Sequence, residues 1–269
     1  TEVAKARRSP RAESDFRRYH LNIWTGQSER WLPIEKWNDG NEGADGLAWK
    51  TKAEQLRGRP CFGGADLASV KDLSSVGWLF PPHGGDDNWH WLPQFWMPRG
   101  DSEADLYDRV RHERVPYDIW EAEGAITITE GNAADHKMIT EAILKGHEMF
   151  DVQGFGMDPW NAHQVMIDLV EAGVDLVKVP TTIAALTSAC KHLERLVLDR
   201  RIRHGGHPIL RWNVGNVVIQ RDTKDNFMPN KLKSTQKIDG VVAGLSALAV
   251  AGGEQDDETL DFSYLEALG

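Results

Sequence analysis

Cysteine is scarce: Cys61 and Cys190 are the whole complement of a 269-residue chain. With no CxxC pair and no Cys/His zinc spacing, a disulfide framework is excluded and a structural zinc site is disfavoured, so a reducing, intracellular compartment is expected. No apolar run approaches the roughly 20 residues that span a bilayer, which argues against a membrane partner. Residues 1–18 are too charged for a secretory signal. GxxxxGK[ST] is missing too, so no ATP phosphate site is expected. There is no internal repeat, and low complexity is confined to the acidic C-terminus.

What is present is tryptophan, eleven in all, nine of them within the first 120 residues. Large rings pinning irregular segments into a core is the first reading, with base stacking or a partner surface as the alternative. The formal charge of -10 is unevenly spread. Residues 253–269 carry six acids and no base, whereas 187–237 carry eleven Lys/Arg against four acids, a local +7. A polyanion responds to such a local patch within a Debye length of about 8–10 Å, although a solvated face has the same composition.

The hydrophobic pattern predicts three strands at 61–67, 75–80 and 89–97, joined as an antiparallel meander. Pro93 in the third argues for an edge or a bulge. Helical spacing follows at 102–114, a strand at 125–129, a helix at 133–150, a strand at 152–157, a helix at 161–172, a strand at 176–179 and a long helix at 182–200. Such alternation indicates parallel βαβ units. A hairpin is expected around RDTKDN, and a last helix over 235–250 capped by Ser234 or Thr235. Its small residues, Gly240, Ala243, Gly244 and Ala247, would let its backbone lie close to a sheet. The fold class is therefore α/β, with a mixed central sheet flanked by helices. Residues 1–18 read as a basic arm, 19–252 as one domain and 253–269 as an acidic tail.

Three aspartates stand out. Asp66 in GGADLAS and Asp158 in GFGMDPWNA follow predicted strands, where α/β sheets present functional groups. Asp239 in STQKIDGVVAG is expected one turn into the last helix, beside an apolar stripe, where a charge is costly unless paired or metal-bound. Mg²⁺ favours a few carboxylates plus waters and phosphate oxygens, and two such ions about 3.5–4 Å apart activate a water and stabilise a leaving oxygen in phosphodiester hydrolysis. Taken singly, each strand-end Asp is equally at home as a turn former or cap. Asp72 is a possible fourth member, or a surface-turn residue. Asp222 and Asp225 read as hairpin-loop residues, with metal or DNA contact as the alternative. Lys231, Lys233 and Lys237 suit either a phosphate contact or a solvated loop, and Arg221 belongs to the same basic stretch. His204 and His207 read as loop histidines, and Asp135 as a helix cap.

The stretches CFGGADLASVKDLSSVGWLF, VQGFGMDPWNAHQVMIDL, TIAALTSACKHLERLVLDRRIRHGGHPILRWNVGNVV and DNFMPNKLKSTQKIDGVVAGLSALA cover roughly residues 60–250. In them the chain resembles the C-terminal nuclease domain of the large terminase subunit of tailed bacteriophages, a DNA-packaging motor. The resemblance implies a ribonuclease H-like fold, an acid cluster of Asp66, Asp158 and Asp239 binding two Mg²⁺ or Mn²⁺ ions, and endonucleolytic cutting of concatemeric double-stranded DNA. It also implies the small terminase subunit and the portal as partners, and work in the host-cell cytoplasm. The family's N-terminal ATPase motifs are not in this sequence, so an isolated nuclease domain with the start of a linker is expected. Two rivals remain: a resolvase-like or transposase-like enzyme sharing the acids, and a non-catalytic module docking the motor to portal and capsid.

Overall fold

The computed structural model describes residues 31–42, 48–68, 70–160 and 162–253. The expected basic arm, Trp24 and nearly all of the acidic tail lie outside these residues. Around a seven-stranded mixed sheet the chain lays its helices on both faces, the first four α-helices among the described residues being α1 (Ile34–Asn38), α2 (Lys52–Gln55), α3 (Glu103–Glu113) and α4 (Tyr117–Glu123). Strands β1 (Pro60–Asp66), β2 (Ser74–Phe80) and β3 (Trp89–Pro98) form the antiparallel meander, with Asp66 opposite Ser75 and Ser75 opposite Phe95. On the other side of β1, strand β5 (Asp151–Met157) runs parallel to it, and β6 (Leu176–Lys178) runs parallel to β5. The order β3-β2-β1-β5-β6, with these directions, is ribonuclease H-like.

The third strand is not a simple edge. Its outer side pairs in parallel at both ends, Trp96–Pro98 with β4 (Thr127–Thr129) and Trp89–His90 with β7 (Ile202–Arg203). Pro93 stands between the two short partners, opposite Gly77 of β2 on the inner side. Having no N–H to offer, it occupies the stretch where the outer ladder is interrupted.

Period-two alternation decides which layer each strand residue serves. Val76, Trp78 and Phe80 of β2 pack with Phe155, Ile139 and Ile143 under α5 (His136–Met149) and α6 (His163–Glu171). Leu79, Trp91 and Phe95 face the other layer, built by α7 (Ile183–Leu198), α8 (Pro208–Asn216) and α9 (Asp239–Ala251). Trp78 anchors the first layer, its ring centroid 5.5 Å from Phe155 and 5.8 Å from Phe150. Asp135 caps α5 by accepting from the Met138 N–H, and Thr182 caps α7 through the Ala185 N–H.

The last helix lies on the sheet backbone to backbone. A Cβ at Gly64 would come 2.3 Å from the Ala243 carbonyl oxygen and 2.5 Å from the Ala247 nitrogen. Glycine there is what lets α9 descend onto β1. The helix starts at Asp239, not at 235 as its pattern suggests, because Ser234 and Thr235 are otherwise engaged. Ser234 Oγ donates to the Asn230 carbonyl and accepts from the Val218 N–H, while Thr235 Oγ1 reaches Asn216.

His204 and His207 lie in the loop between Arg203 and Pro208, as expected, and are there fully and almost fully buried. His204 stacks on Trp37 at 4.1 Å and donates through Nε2 to the Trp37 carbonyl at 2.8 Å. Burial pushes their imidazoles down, to about 4 for His204 and about 3 for His207. Part of the basic stretch lies away from the acids. Arg203 pairs with His90, which faces Phe80 at the far end of β2. That is five residues, roughly 17 Å, along β2 from the end where Asp66 meets Ser75.

Candidate active site

Strand register brings the first two acids side by side. Ala65 pairs with Met157, so the next residues, Asp66 and Asp158, leave adjacent parallel strands at the same sheet end. Strand spacing there is about 4.8 Å. The third, Asp239, opens α9, and Asn213 of α8 holds that helix start by accepting from the Gly240 N–H at 2.9 Å and donating to the Lys237 carbonyl.

A lysine joins two of them. Lys231 Nζ lies 2.5 Å from Asp66 Oδ2 and 3.3 Å from Asp239 Oδ1. The shorter contact is one of charge, for Asp66 Oδ2 is buried and receives no aligned hydrogen bond. Burial raises the Asp66 carboxyl, with Lys231 opposing the rise and Asp158 and Asp72 adding to it. Burial lifts Asp239 to about 7, helped by the negative charge of Asp66. Lys231 is conversely held in its charged form, because the two carboxylates outweigh its own desolvation. A buried and a mostly buried carboxylate thus converge on a single cation, the charge arrangement a divalent metal would satisfy.

Asp158 is oriented separately. Its Oδ1 accepts from the Trp160 N–H at 2.9 Å and its Oδ2 from the Thr181 N–H at 2.8 Å, tying the end of β5 to the loop after β6. Among the described residues no three His, Cys, Asp or Glu side chains converge tightly enough, as they stand, to hold an ion. Each Asp158 oxygen still keeps a second lone pair, so the carboxylate is pre-aimed rather than spent.

The other sequence candidates are distributed as follows. Asp72 is ion-paired with Lys237, and the pair keeps its carboxyl below the usual range despite partial burial. Asp72, Lys231, Asp239, His112, Glu113 and Gln236 line an open groove of about 400 Å³. Lys233 is exposed. Asp222 and Asp225 stay in the turn between β8 (Ile219–Arg221) and β9 (Phe227–Pro229). There Asp222 accepts from the Lys224 and Asn226 N–H groups, and Asp225 pairs with Arg221, whose guanidinium lies 4.5 Å over the Phe227 ring. Asn213 and Thr181 were not singled out by sequence. Asn213 belongs to a helix without clear apolar periodicity, and Thr181 acts through its backbone, which carries no residue-type signal.

The sequence profile of the family described as terminase large subunit, endonuclease domain, matches residues 1–254. The chain belongs to this family. Among terminase relatives, the large subunit of Enterobacteria phage HK97 is 28% identical over 263 residues, covering 97% of this chain and 49% of the phage protein. Protein YmfN of Escherichia coli strain K12 is 26% identical over 269 residues, covering 98% of this chain and 58% of YmfN. The chain therefore spans about half the length of the curated relatives it matches. The crystal structure of the HK97 large terminase superposes with a TM-score of 0.71 at 27% identity, over 93% of this chain and 49% of that one. No helix among the described residues of this terminase-family chain is long and apolar enough to cross a membrane.

Proposed function

We propose that this terminase-family domain is a divalent-metal-dependent endonuclease that cuts concatemeric double-stranded viral DNA during genome packaging. The observation that carries the reading is a buried carboxylate, Asp239, and a mostly buried one, Asp66, sharing one cation beside the strand-end carboxylate of Asp158. Asp66, Asp158 and Asp239 would hold two Mg²⁺ or Mn²⁺ ions, and bound metal would supply an activated water and charge stabilisation for the leaving 3′ oxygen. The raised carboxyls of Asp66 and Asp239, both drawn to one ammonium group, fit that donor set.

The protein's own share is positional. β1 and β5 present Asp66 and Asp158 from a rigid sheet, the amides of Trp160 and Thr181 orient Asp158, and Asn213 sets the start of α9 under Asp239. Lys231, Lys233 and Lys237, with Arg221 further out, would contact the DNA backbone, which fixes position rather than sequence. In this reading residues 19–252 are the nuclease domain, with 1–18 an arm and 253–269 a tail. The domain works in the host cytoplasm within a motor that includes the small subunit and the portal.

Plasmid cleavage in Mg²⁺ or Mn²⁺ tests the reading. Asp66→Ala, Asp158→Ala and Asp239→Ala should each abolish cutting while the domain stays folded by circular dichroism. Full activity in all three would sink the assignment. Branched-junction products would favour a resolvase, and calorimetric Mn²⁺ titration without acid-dependent binding would favour a docking module.

A further inference from the structure

Nearly all described tryptophans are buried or half-buried, and Trp160 is the exception at 80% exposed. The side chain most exposed among the described large hydrophobics is Leu232, at 97%. Trp160 lies two residues after Asp158 and donates its N–H to that carboxylate. Leu232 directly follows Lys231, which contacts Asp66 and Asp239, and precedes exposed Lys233. The two least covered large apolar side chains thus stand on the two segments that frame the acids, one beside each.

Neither site is accidental slack in a loop. The Asp158 carboxylate fixes the Trp160 backbone from one side and the Thr181 amide from the other. The Leu232 segment is held by Lys231 and by the Asn230 side chain accepting from the Lys233 N–H. Backbones are pinned while the apolar groups are left in water.

We infer that Trp160 and Leu232 are apolar DNA contacts, packing against deoxyribose and base edges on either side of the phosphate presented to the acids. This rests on the nuclease reading and names the substrate contacts it needs. The exposed ammonium group of Lys233, next to Leu232, suits a polyanion. A protein partner would need about 800 Å² per side, whereas one indole and one isobutyl group supply only a few hundred. Apolar packing on sugar and base tolerates any sequence, because every nucleotide offers such a surface.

Fluorescence anisotropy with a labelled duplex in Ca²⁺, read over a salt series, tests the idea, together with plasmid cutting in Mn²⁺. Trp160→Ala should weaken duplex binding roughly tenfold and raise KM more than it lowers kcat, with Trp160→Phe recovering most of the loss. Leu232→Ala should cost about threefold. Neither variant should change the slope of log affinity against log salt, whereas Lys233→Ala should reduce it by about one phosphate contact. Calorimetric Mn²⁺ binding should stay at the parental value in Trp160→Ala, which retains the backbone N–H.

The double variant Trp160→Ala/Leu232→Ala binding duplex like the parent would overturn the inference while leaving the nuclease reading intact. A parent that binds duplex, is weakened by the double variant and yet cuts in neither Mg²⁺ nor Mn²⁺ would remove the nuclease reading and keep the contacts. A parent that binds no duplex removes both.

Discussion

Lys231 is a counter-ion placed where two acids need one. Removing it leaves Asp66 and Asp239 buried and facing each other, and Lys231→Ala is expected to cost about 1–3 kcal/mol of stability in metal-free buffer, less than a fully buried pair because the lysine is half exposed. The same variant should bind Mn²⁺ more tightly in calorimetric titration, since no ammonium competes for the oxygens. Asp239 gives the opposite sign. Its folded-state pKa of about 7 lies above the unfolded 3.8, so its contribution to stability is present at low pH and lost as pH rises through 7. Asp239→Asn should therefore raise the melting temperature of the metal-free domain more at pH 8 than at pH 5, while abolishing cleavage. An equal shift at both pH values would count against a buried charge. The acids themselves were legible because a carboxylate after an apolar strand or beside a Gly/Ala helix stripe is conspicuous; the lysine's bridging role was not, since it depends on the fold of the nine-residue loop 230–238, which has no periodicity.

Helix α9 is held by contact at a distance only glycine permits. Gly64→Ala would drive a methyl into the Ala243 and Ala247 backbone, which has no side chain to rotate aside, and should cost 3 kcal/mol or more (~3, from overpacking of rigid neighbours) or prevent folding. Gly215→Ala, in α8 with nothing within 4 Å of the new methyl, should instead stabilise by about 0.5–1 kcal/mol. Denaturant titration of the pair checks both. Elements with a bounded apolar run or helical spacing, such as β1, β2, β5, α7 and α9, could be read from the sequence. The helix Tyr117–Glu123 and α8 were missed, and for a shared reason: their tryptophans, prolines and glycines follow tertiary packing, Trp120 against Trp212 and Pro208 at a helix start, rather than a 3.6-residue stripe. The start of α9 was misjudged by four residues because Ser234 and Thr235, good caps on paper, serve other partners.

At the scale of the molecule, the sheet separates two chemical ends. One carries Asp66, Asp158, Asp239 and Lys231; the other carries Arg203 and the buried His204, whose neutral imidazole belongs to the core. Because folding holds His204 and His207 at about 4 and about 3 against 6.5 when unfolded, their contribution is intact above pH 6.5 and lost as pH falls below it. His204 alone implies a loss of roughly 2 kcal/mol by pH 5, and His204→Gln should flatten the acid limb of the melting curve. A melting temperature independent of pH between 7 and 5 would contradict this. The net charge of -10 concealed both ends, since burial and pairing, not the sum, decide what a partner meets. The interrupted outer side of β3 has a further bearing on assembly. Two short strands take up its two ends and a residue without an N–H fills the break, so that flank offers no continuous ladder to an incoming strand. At the opposite flank β6 offers only three residues. Copies of this domain brought close together would resist fusing sheet to sheet, and any ordered contact between neighbours falls to helices and loops, which can part again without breaking a strand ladder.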